Sequence, residues 1–188
     1  KEAEEAHIFT LRALETCEQL KIARALSYLY CSPYTDTPTM VAGMRWKNPV
    51  GLAAGFSKNG EALEALSMLG FGCIELGTVT PRPQLGNPRP RVFRYPASRA
   101  VINRYGFNSE GSKAVAARIC PLLMHDWKRR SKIPPLIYSI GANKDTLDAY
   151  GESGDLEVVV ADYVAAFADI HPNMKGVDGL QINISSPN

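Results

Sequence analysis

Residues able to do chemistry fall in four short strings, each placed directly after an apolar run. They are Ala53-Ala54-Gly55-Phe56-Ser57-Lys58, Gly77-Thr78-Val79-Thr80-Pro81, Ser139-Ile140-Gly141-Ala142-Asn143-Lys144 and Asn183-Ile184-Ser185-Ser186-Pro187-Asn188. Ala53, Ala54 and Gly55 carry little or no side chain, so their backbone can approach a flat ligand closely. Lys58 adds a cation beside them. Gly77 and Thr78 offer a backbone group and a hydroxyl, while Asn103, Asn183 and Asn188 offer amides that both donate and accept. A lone serine, as the last string offers, is a poor base, because a hydroxyl stays protonated at neutral pH; it can take a proton only if that proton passes onward. Plainer readings exist for each. Lysines are mostly solvated, and Asn, Gly-Thr and Ser-Ser-Pro-Asn all suit turns.

The elements around these strings give them a common address. Apolar runs from Pro49 to Ala54, Cys73 to Thr78, Leu136 to Ile140 and Gly179 to Ile184 read as strands, and the intervening Gly60 to Leu69, Ser112 to Arg129 and Leu156 to Ile170 carry helical spacing. Gly70-Phe71-Gly72 supplies a helix stop before the second strand. This alternation predicts an α/β fold with a parallel sheet. Ligands of such sheets bind at the carboxyl ends of the strands, where all four polar strings lie. The stretch from Pro81 to Gly111, with many Pro, Gly, Arg and Asn residues, is expected to fold over the site, since compact domains rarely keep so long a loop without a use. Ahead of the sheet, residues 7 to about 30 read as two short amphipathic helices, with Ile8, Leu11, Leu14 and Cys17 on one stripe and Ile22, Ala25, Leu26 and Leu29 on the next. A linker from Cys31 to Thr39, broken by Pro33, Asp36 and Pro38, puts a domain boundary near residue 38.

Bulk properties narrow the function classes. The 188 residues carry 21 basic and 19 acidic side chains, a net charge of +2 that gives no general reason to expect a nucleic-acid partner. Cys17, Cys31, Cys73 and Cys120 stand far apart, so neither a zinc site nor a disulfide framework is indicated, and a reducing compartment fits. No run approaches the roughly 20 apolar residues of a membrane-spanning helix. The chain opens on Lys1 rather than Met, so the start of the natural gene product is expected to lie upstream.

Taken in order, the strings Asn48 to Gly60 (NPVGLAAGFSKNG), Thr78 to Arg94 (TVTPRPQLGNPRPRVFR), Val101 to Asn108 (VINRYGFN) and Asn183 to Asn188 (NISSPN) closely resemble class 2, quinone-dependent dihydroorotate dehydrogenases. The helical lead with His7 resembles that family's amino-terminal domain. The resemblance implies a (β/α)8 TIM barrel, with the first four β/α units present here, preceded by a small amphipathic helical domain. Residues 1–38 would form the membrane and quinone-tunnel segment with its linker, and residues 39–188 the first half of the FMN-binding barrel. The implied reaction oxidises dihydroorotate to orotate in pyrimidine biosynthesis: Ser186 takes a proton from C5 while hydride leaves C6 for N5 of FMN, which ubiquinone reoxidises.

Further implications attach residue by residue. Ala53, Ala54, Gly55, Lys58, Gly77, Thr78, Asn103, Ser139 and Asn183 would hold FMN. Lys58, Asn103, Arg104, Tyr105, Gly106, Phe107, Asn183 and Asn188 would hold dihydroorotate, the amides suiting the mixed edge of a pyrimidine dione. His7 and Arg94 would line a quinone tunnel, and the helical lead would rest on a membrane surface. Serine at 186 separates this class from the soluble one, which carries Cys there. The wording of Gly86 to Arg94 resembles the mitochondrial inner-membrane form; the bacterial cytoplasmic membrane is the alternative. Two departures stand out: Ser139 replaces the family's usual Asn, and Ala142 replaces the first Lys of a Lys-Asn-Lys segment continued by Asn143 and Lys144. The remaining strands, with the phosphate site, are expected beyond Asn188, on a second chain of comparable size or on the rest of this one. Four strands of a closed barrel leave open edges, so the half is not expected to be stable alone. Competing readings are another FMN barrel, such as a dihydropyrimidine dehydrogenase or a dihydrouridine synthase, and a non-catalytic half-barrel module. The first of these normally brings iron-sulfur cysteine clusters, the second favours a more basic surface, and the module leaves four matching polar tips unexplained.

Overall fold

The structure, a computed structural model, describes residues 2–23, 25, 37–124, 133–171 and 178–185. The chain begins with helix α1 (Ala3–Gln19), whose first turn carries Glu4 and Glu5 where the helix dipole favours negative charge. Its stripe buries Leu11 and lays Leu14 against the core. Most of the second expected helix, and the linker from Cys31 to Asp36, lie outside the described residues.

Strands β1 (Thr39–Val41) and β2 (Met44–Trp46) form an antiparallel pair not anticipated from the sequence. Ala42 and Gly43 turn it with φ of 46° and 79°, the left-handed pair that a two-residue hairpin requires. The main sheet follows. Strand β3 (Gly51–Leu52) leads to helix α2 (Leu63–Ser67), then to β4 (Cys73–Val79). A hairpin of β5 (Val92–Tyr95) and β6 (Ala100–Asn103) is inserted before helix α3 (Ser112–Met124). Strand β7 (Leu136–Ile140), helices α4 (Lys144–Ser153) and α5 (Leu156–Ile170), and β8 (Gly179–Ile182) complete the described chain.

Strands β3, β4, β7 and β8 lie side by side in that order, and every pairing is parallel. The α/β alternation is the expected one. Central strands β4 and β7 are buried almost throughout, as parallel strands covered on both faces must be. Their Ile74, Leu76, Leu136 and Ile140 meet Leu63 and Leu66 of α2, Val115 and Ile119 of α3, and Ile170 of α5 in one core. Asp155 caps α5 by accepting from the Glu157 N–H at 2.9 Å, and Gly154 ends α4 with φ 71°. Because all four strands run the same way, their carboxyl ends emerge on one side.

Leu76 is fully buried at the centre of this core. Leu76→Ala is expected to lower the unfolding free energy of the full-length protein by about 2–5 kcal/mol, read by urea denaturation.

Candidate functional site at the strand tips

The first two tips are tied together through their backbones. Gly55 N–H donates to the Gly77 carbonyl at 2.7 Å, and Gly77 N–H donates to the Ser57 carbonyl at 3.0 Å. Gly77 has φ 114°, and a β-carbon there would sit 2.4 Å from the Ser139 carbonyl oxygen, so only glycine fits. This close approach brings the next side chain, Thr78, between the third and fourth tips. Its hydroxyl shares a 3.0 Å hydrogen bond with Ser139 Oγ and accepts from Asn183 Nδ2 at 2.7 Å. Asn183 is held further by Ser185, whose N–H and Oγ donate to its Oδ1 at 3.0 and 2.7 Å, and by the Tyr163 hydroxyl, which donates to its carbonyl at 2.7 Å.

A second set of bonds fixes the segment that follows β6. Gln84 Nε2 donates to the carbonyls of Gly106 and Phe107 at 3.1 and 2.9 Å. The Gln84 side-chain oxygen accepts from Asn143 Nδ2 at 2.8 Å and from the Lys144 N–H at 3.0 Å. Asn143 is buried and also takes the Arg82 N–H, while Arg82 forms ion pairs with Asp145 and Asp162. The long loop is thus anchored to the third tip.

Between these fixed walls lies a cavity of about 410 Å³, lined by Ala54, Gly55, Lys58, Thr78, Asn103, Tyr105, Gly106, Phe107, Asn183 and Ser185. Its size is in the range of small-molecule and cofactor sites. Backbone with small side chains forms one wall and amide groups another, a donor set that fits a flat heterocycle. Lys58 is 8% exposed, and its ammonium lies 4.2 Å from the Tyr105 ring centroid. Burial, reinforced by the Arg91 charge and partly offset by Glu4 and Glu61, pushes its pKa down to about 8. At neutral pH it is therefore a largely charged group in a poorly solvated wall, able to hold an anion.

A smaller cavity of about 120 Å³ opens on the other side of Lys58 and Tyr105, beneath α1, with His7, Ile8, Leu11 and Phe56 on its apolar side and Glu4, Arg89 and Arg91 on its charged side. His7 Nε2 donates to the Phe56 carbonyl at 2.7 Å.

Of the residues singled out in the sequence, Ala54, Gly55, Lys58, Thr78, Asn103, Tyr105, Gly106, Phe107 and Asn183 line the larger cavity. Ala53 precedes that wall and is exposed; Gly77 contributes backbone bonds behind it. Ser139 is fully buried, and its hydroxyl reaches Thr78 rather than the cavity. Arg104 turns away, its guanidinium donating to the Pro90 carbonyl. His7 lines the smaller cavity, whereas Arg94 is exposed on β5. Ser186 and Asn188 lie outside the described residues. Sequence reasoning missed Gln84 and Tyr163, which left no local signal. It also missed Glu4 and Arg91, although Glu4 sits on the same helical stripe as Ile8 and Leu11, where a carboxylate must meet a cation.

Known proteins resemble this chain along its whole length. The family model described as dihydroorotate dehydrogenase matches residues 37–188. The chain belongs to the dihydroorotate dehydrogenase family. Among its relatives, dihydroorotate dehydrogenase (quinone) of Acidithiobacillus ferrooxidans is 45% identical over 188 residues, covering 98% of this chain and 46% of the relative. The proteins of the same description from Roseiflexus sp. and Alkalilimnicola ehrlichii are 43% and 41% identical, each covering all of this chain and 47% and 48% of the relative. A crystal structure of dihydroorotate dehydrogenase from Eimeria tenella in complex with ferulenol superposes with a TM-score of 0.74 at 34% identity, over 100% of this chain and 45% of that one. The ligand-free form of that protein gives 0.73 at 34% identity, over 98% and 46%. The chain therefore spans about half the length of the relatives it matches, and its four parallel strands with their helices correspond to part of the TIM barrel of this dihydroorotate dehydrogenase family.

Thr78→Val removes the hydroxyl that joins three tips of this dehydrogenase-family site while keeping its shape. It is expected to cost about 1–3 kcal/mol by stranding the Ser139 and Asn183 groups, whereas Thr78→Ser retains most of the stability; thermal unfolding of the full-length protein checks both.

Proposed function

We propose that this chain supplies one half of the active site of a quinone-dependent dihydroorotate dehydrogenase. The observation that carries the reading is the convergence of Lys58, Thr78, Asn103 and Asn183 on one cavity at the carboxyl ends of parallel strands. On this reading FMN lies against Ala54 and Gly55, where the backbone can come close to a flat ring, and supplies a hydride acceptor when bound. Lys58 holds the carboxylate of dihydroorotate, and its charge also favours negative charge gathering on the reduced ring. Asn103 and Asn183 orient the pyrimidine dione, Asn183 because bonds to Thr78, Ser185 and Tyr163 already fix it. Ser186, with the proton passed onward, removes the C5 hydrogen, and Asn188 adds a further amide. Ser139 supports this site from beneath Thr78. The phosphate end and the remaining barrel strands belong to sequence beyond Asn188.

Residues 1–38 form the membrane-facing segment of this reading, and residues 39–188 the first part of the barrel. No helix among the described residues is long and apolar enough to cross a membrane, which suits a peripheral attachment. Exposed Phe9 on α1 and Leu20 just past its end give that helix an apolar contact for a membrane surface. His7 and the apolar wall beside it suit the ring of ubiquinone, and exposed Arg94 on β5 is the second tunnel residue of this reading. The relatives named above as dihydroorotate dehydrogenase (quinone) are bacterial, which favours the cytoplasmic membrane over the mitochondrial inner membrane suggested by the wording of Gly86 to Arg94.

In the full-length protein, dihydroorotate is expected to bleach the flavin absorbance, and a short-chain ubiquinone, but not fumarate, to restore it. A yellow protein that dihydroorotate leaves unbleached would sink the proposal. Lys58 also sets a pH dependence: affinity for anionic orotate is expected to hold below about pH 8 and to fall as pH rises through it, because the depressed pKa surrenders the ammonium there. Lys58→Met should bind orotate weakly at all pH values and show no such step.

A further inference from the structure

Tyr105 carries two cations on one ring. Lys58 Nζ lies 4.2 Å from its centroid and the Arg91 guanidinium carbon 5.1 Å. Both cations are nearly enclosed, at 8% and 6% exposure. Like charges that close in a poorly solvated place repel strongly, and the ring's quadrupole offsets only part of that. A buried counter-charge is required.

Two carboxylates face this cluster. Glu61, on the loop beyond the first tip, is taken up by its own neighbours: its side-chain oxygens accept from the Asn59 N–H and Nδ2 at 2.8 and 2.7 Å and from Ser57 Oγ at 3.3 Å. Glu4 comes from α1 and is 4% exposed. It accepts from Arg91 Nε at 3.1 and 3.0 Å and from Arg91 Nη2 at 2.7 Å, and it also pairs with Arg89 at 3.0 Å. The remaining titratable groups around the smaller cavity are His7 on α1 and Tyr105 itself. Burial pushes the Glu4 carboxyl up, but bonds and charge from Arg91 and Arg89 outweigh it and hold the group below the usual carboxylate range. Glu4 is thus an anion at neutral pH, delivered by a helix that also docks through its apolar stripe, through His7 on the Phe56 carbonyl and through Glu18 on the Ala65 N–H.

We propose that Glu4 is a positioning residue for Lys58: bound to Arg91, it neutralises the guanidinium beside the Tyr105 ring and so keeps a buried ammonium in the wall between the two cavities. Docking of the amino-terminal helix thereby sets the charge of the larger cavity. The use of that ammonium to hold an anionic ligand rests on the proposed function, whereas the charge coupling from Glu4 to Lys58 does not.

Competitive trace labelling with acetic anhydride, read by mass spectrometry on the peptide containing Lys58, measures its ionisation in the full-length flavoprotein between about pH 6 and pH 10. In Glu4→Gln the midpoint is expected to move to lower pH by roughly half a unit or more, because Glu4 opposes the depression caused by burial and Arg91. Glu4→Asp should restore part of the shift, and Glu5→Gln, which removes an exposed charge from the same helix, should leave the midpoint in place. Arg91→Gln removes the repelling cation and should move the midpoint up, so the coupling stays testable if Glu4→Gln does not fold. An unchanged midpoint in Glu4→Gln would overturn the inference, as would an equal shift in Glu5→Gln or, if Glu4→Gln does not fold, an unchanged midpoint in Arg91→Gln. Orotate affinity followed over the same pH range should fall in a step at the labelling midpoint of each variant. Matched labelling shifts in a protein whose flavin dihydroorotate cannot bleach would uphold the coupling and refute the functional reading.

Discussion

At Gly77 two strands approach so closely that a β-carbon would lie 2.4 Å from the Ser139 carbonyl oxygen, and the rest of the site depends on that contact. Strand pairing between β4 and β7 is regular up to Leu76 and resumes at Val79, so the irregularity falls where the site begins. Because Gly77 leaves no room for a side chain, Thr78 is carried to the middle of three strand tips and its hydroxyl is shared between Ser139 and Asn183. Polar groups buried this deeply are stable only when fully partnered. Asn183 meets that condition through Thr78, Ser185 and Tyr163, and so presents a fixed amide to the cavity.

Much of this was legible in the residues themselves. The two central strands were readable because parallel strands buried on both faces are apolar throughout, as Ile74, Leu76, Leu136 and Ile140 are. Helix α5 matched its expected span from Leu156 to Ile170 because Asp155 marks its start and Val159, Ala166 and Ile170 keep a clear spacing. The edges read less well. Strand β3 is shorter than the expected Pro49 to Ala54 because the Ala54 N–H turns to the Glu75 carboxylate, and β8 stops at Ile182 because Asn183 folds onto Ser185. Helix α4 escaped notice since Lys144 to Ser153 is mostly polar and contains Gly151.

The site was legible to a different degree for a similar reason. Nine of the residues picked out at the tips and after β6 do line one cavity, since strand direction alone brings them together. Ser139 and Arg104 turn out to serve the walls, through Thr78 and Pro90 respectively, and side-chain direction at a tip is set by tertiary hydrogen bonds that no local pattern records. Gln84 is the clearest case. It joins the third tip to Gly106 and Phe107 across more than twenty residues, and a lone glutamine in a loop carries no mark of that role.

The ion pair of Glu4 with Arg91 joins positions 87 residues apart. On a chain made from its amino terminus, α1 exists long before its partners do: its Leu11 and Leu14 must wait uncovered until α2 and the sheet behind it have formed, and Glu4 waits for Arg91, further along still. Closing so long a loop costs only a little more than closing a short one, but the contact is non-local and is made late. The buried carboxylate ties docking to correct pairing: a mispaired or half-formed loop offers Glu4 no guanidinium, and docking α1 on it would bury an unpaired charge at a cost on the order of 3–5 kcal/mol.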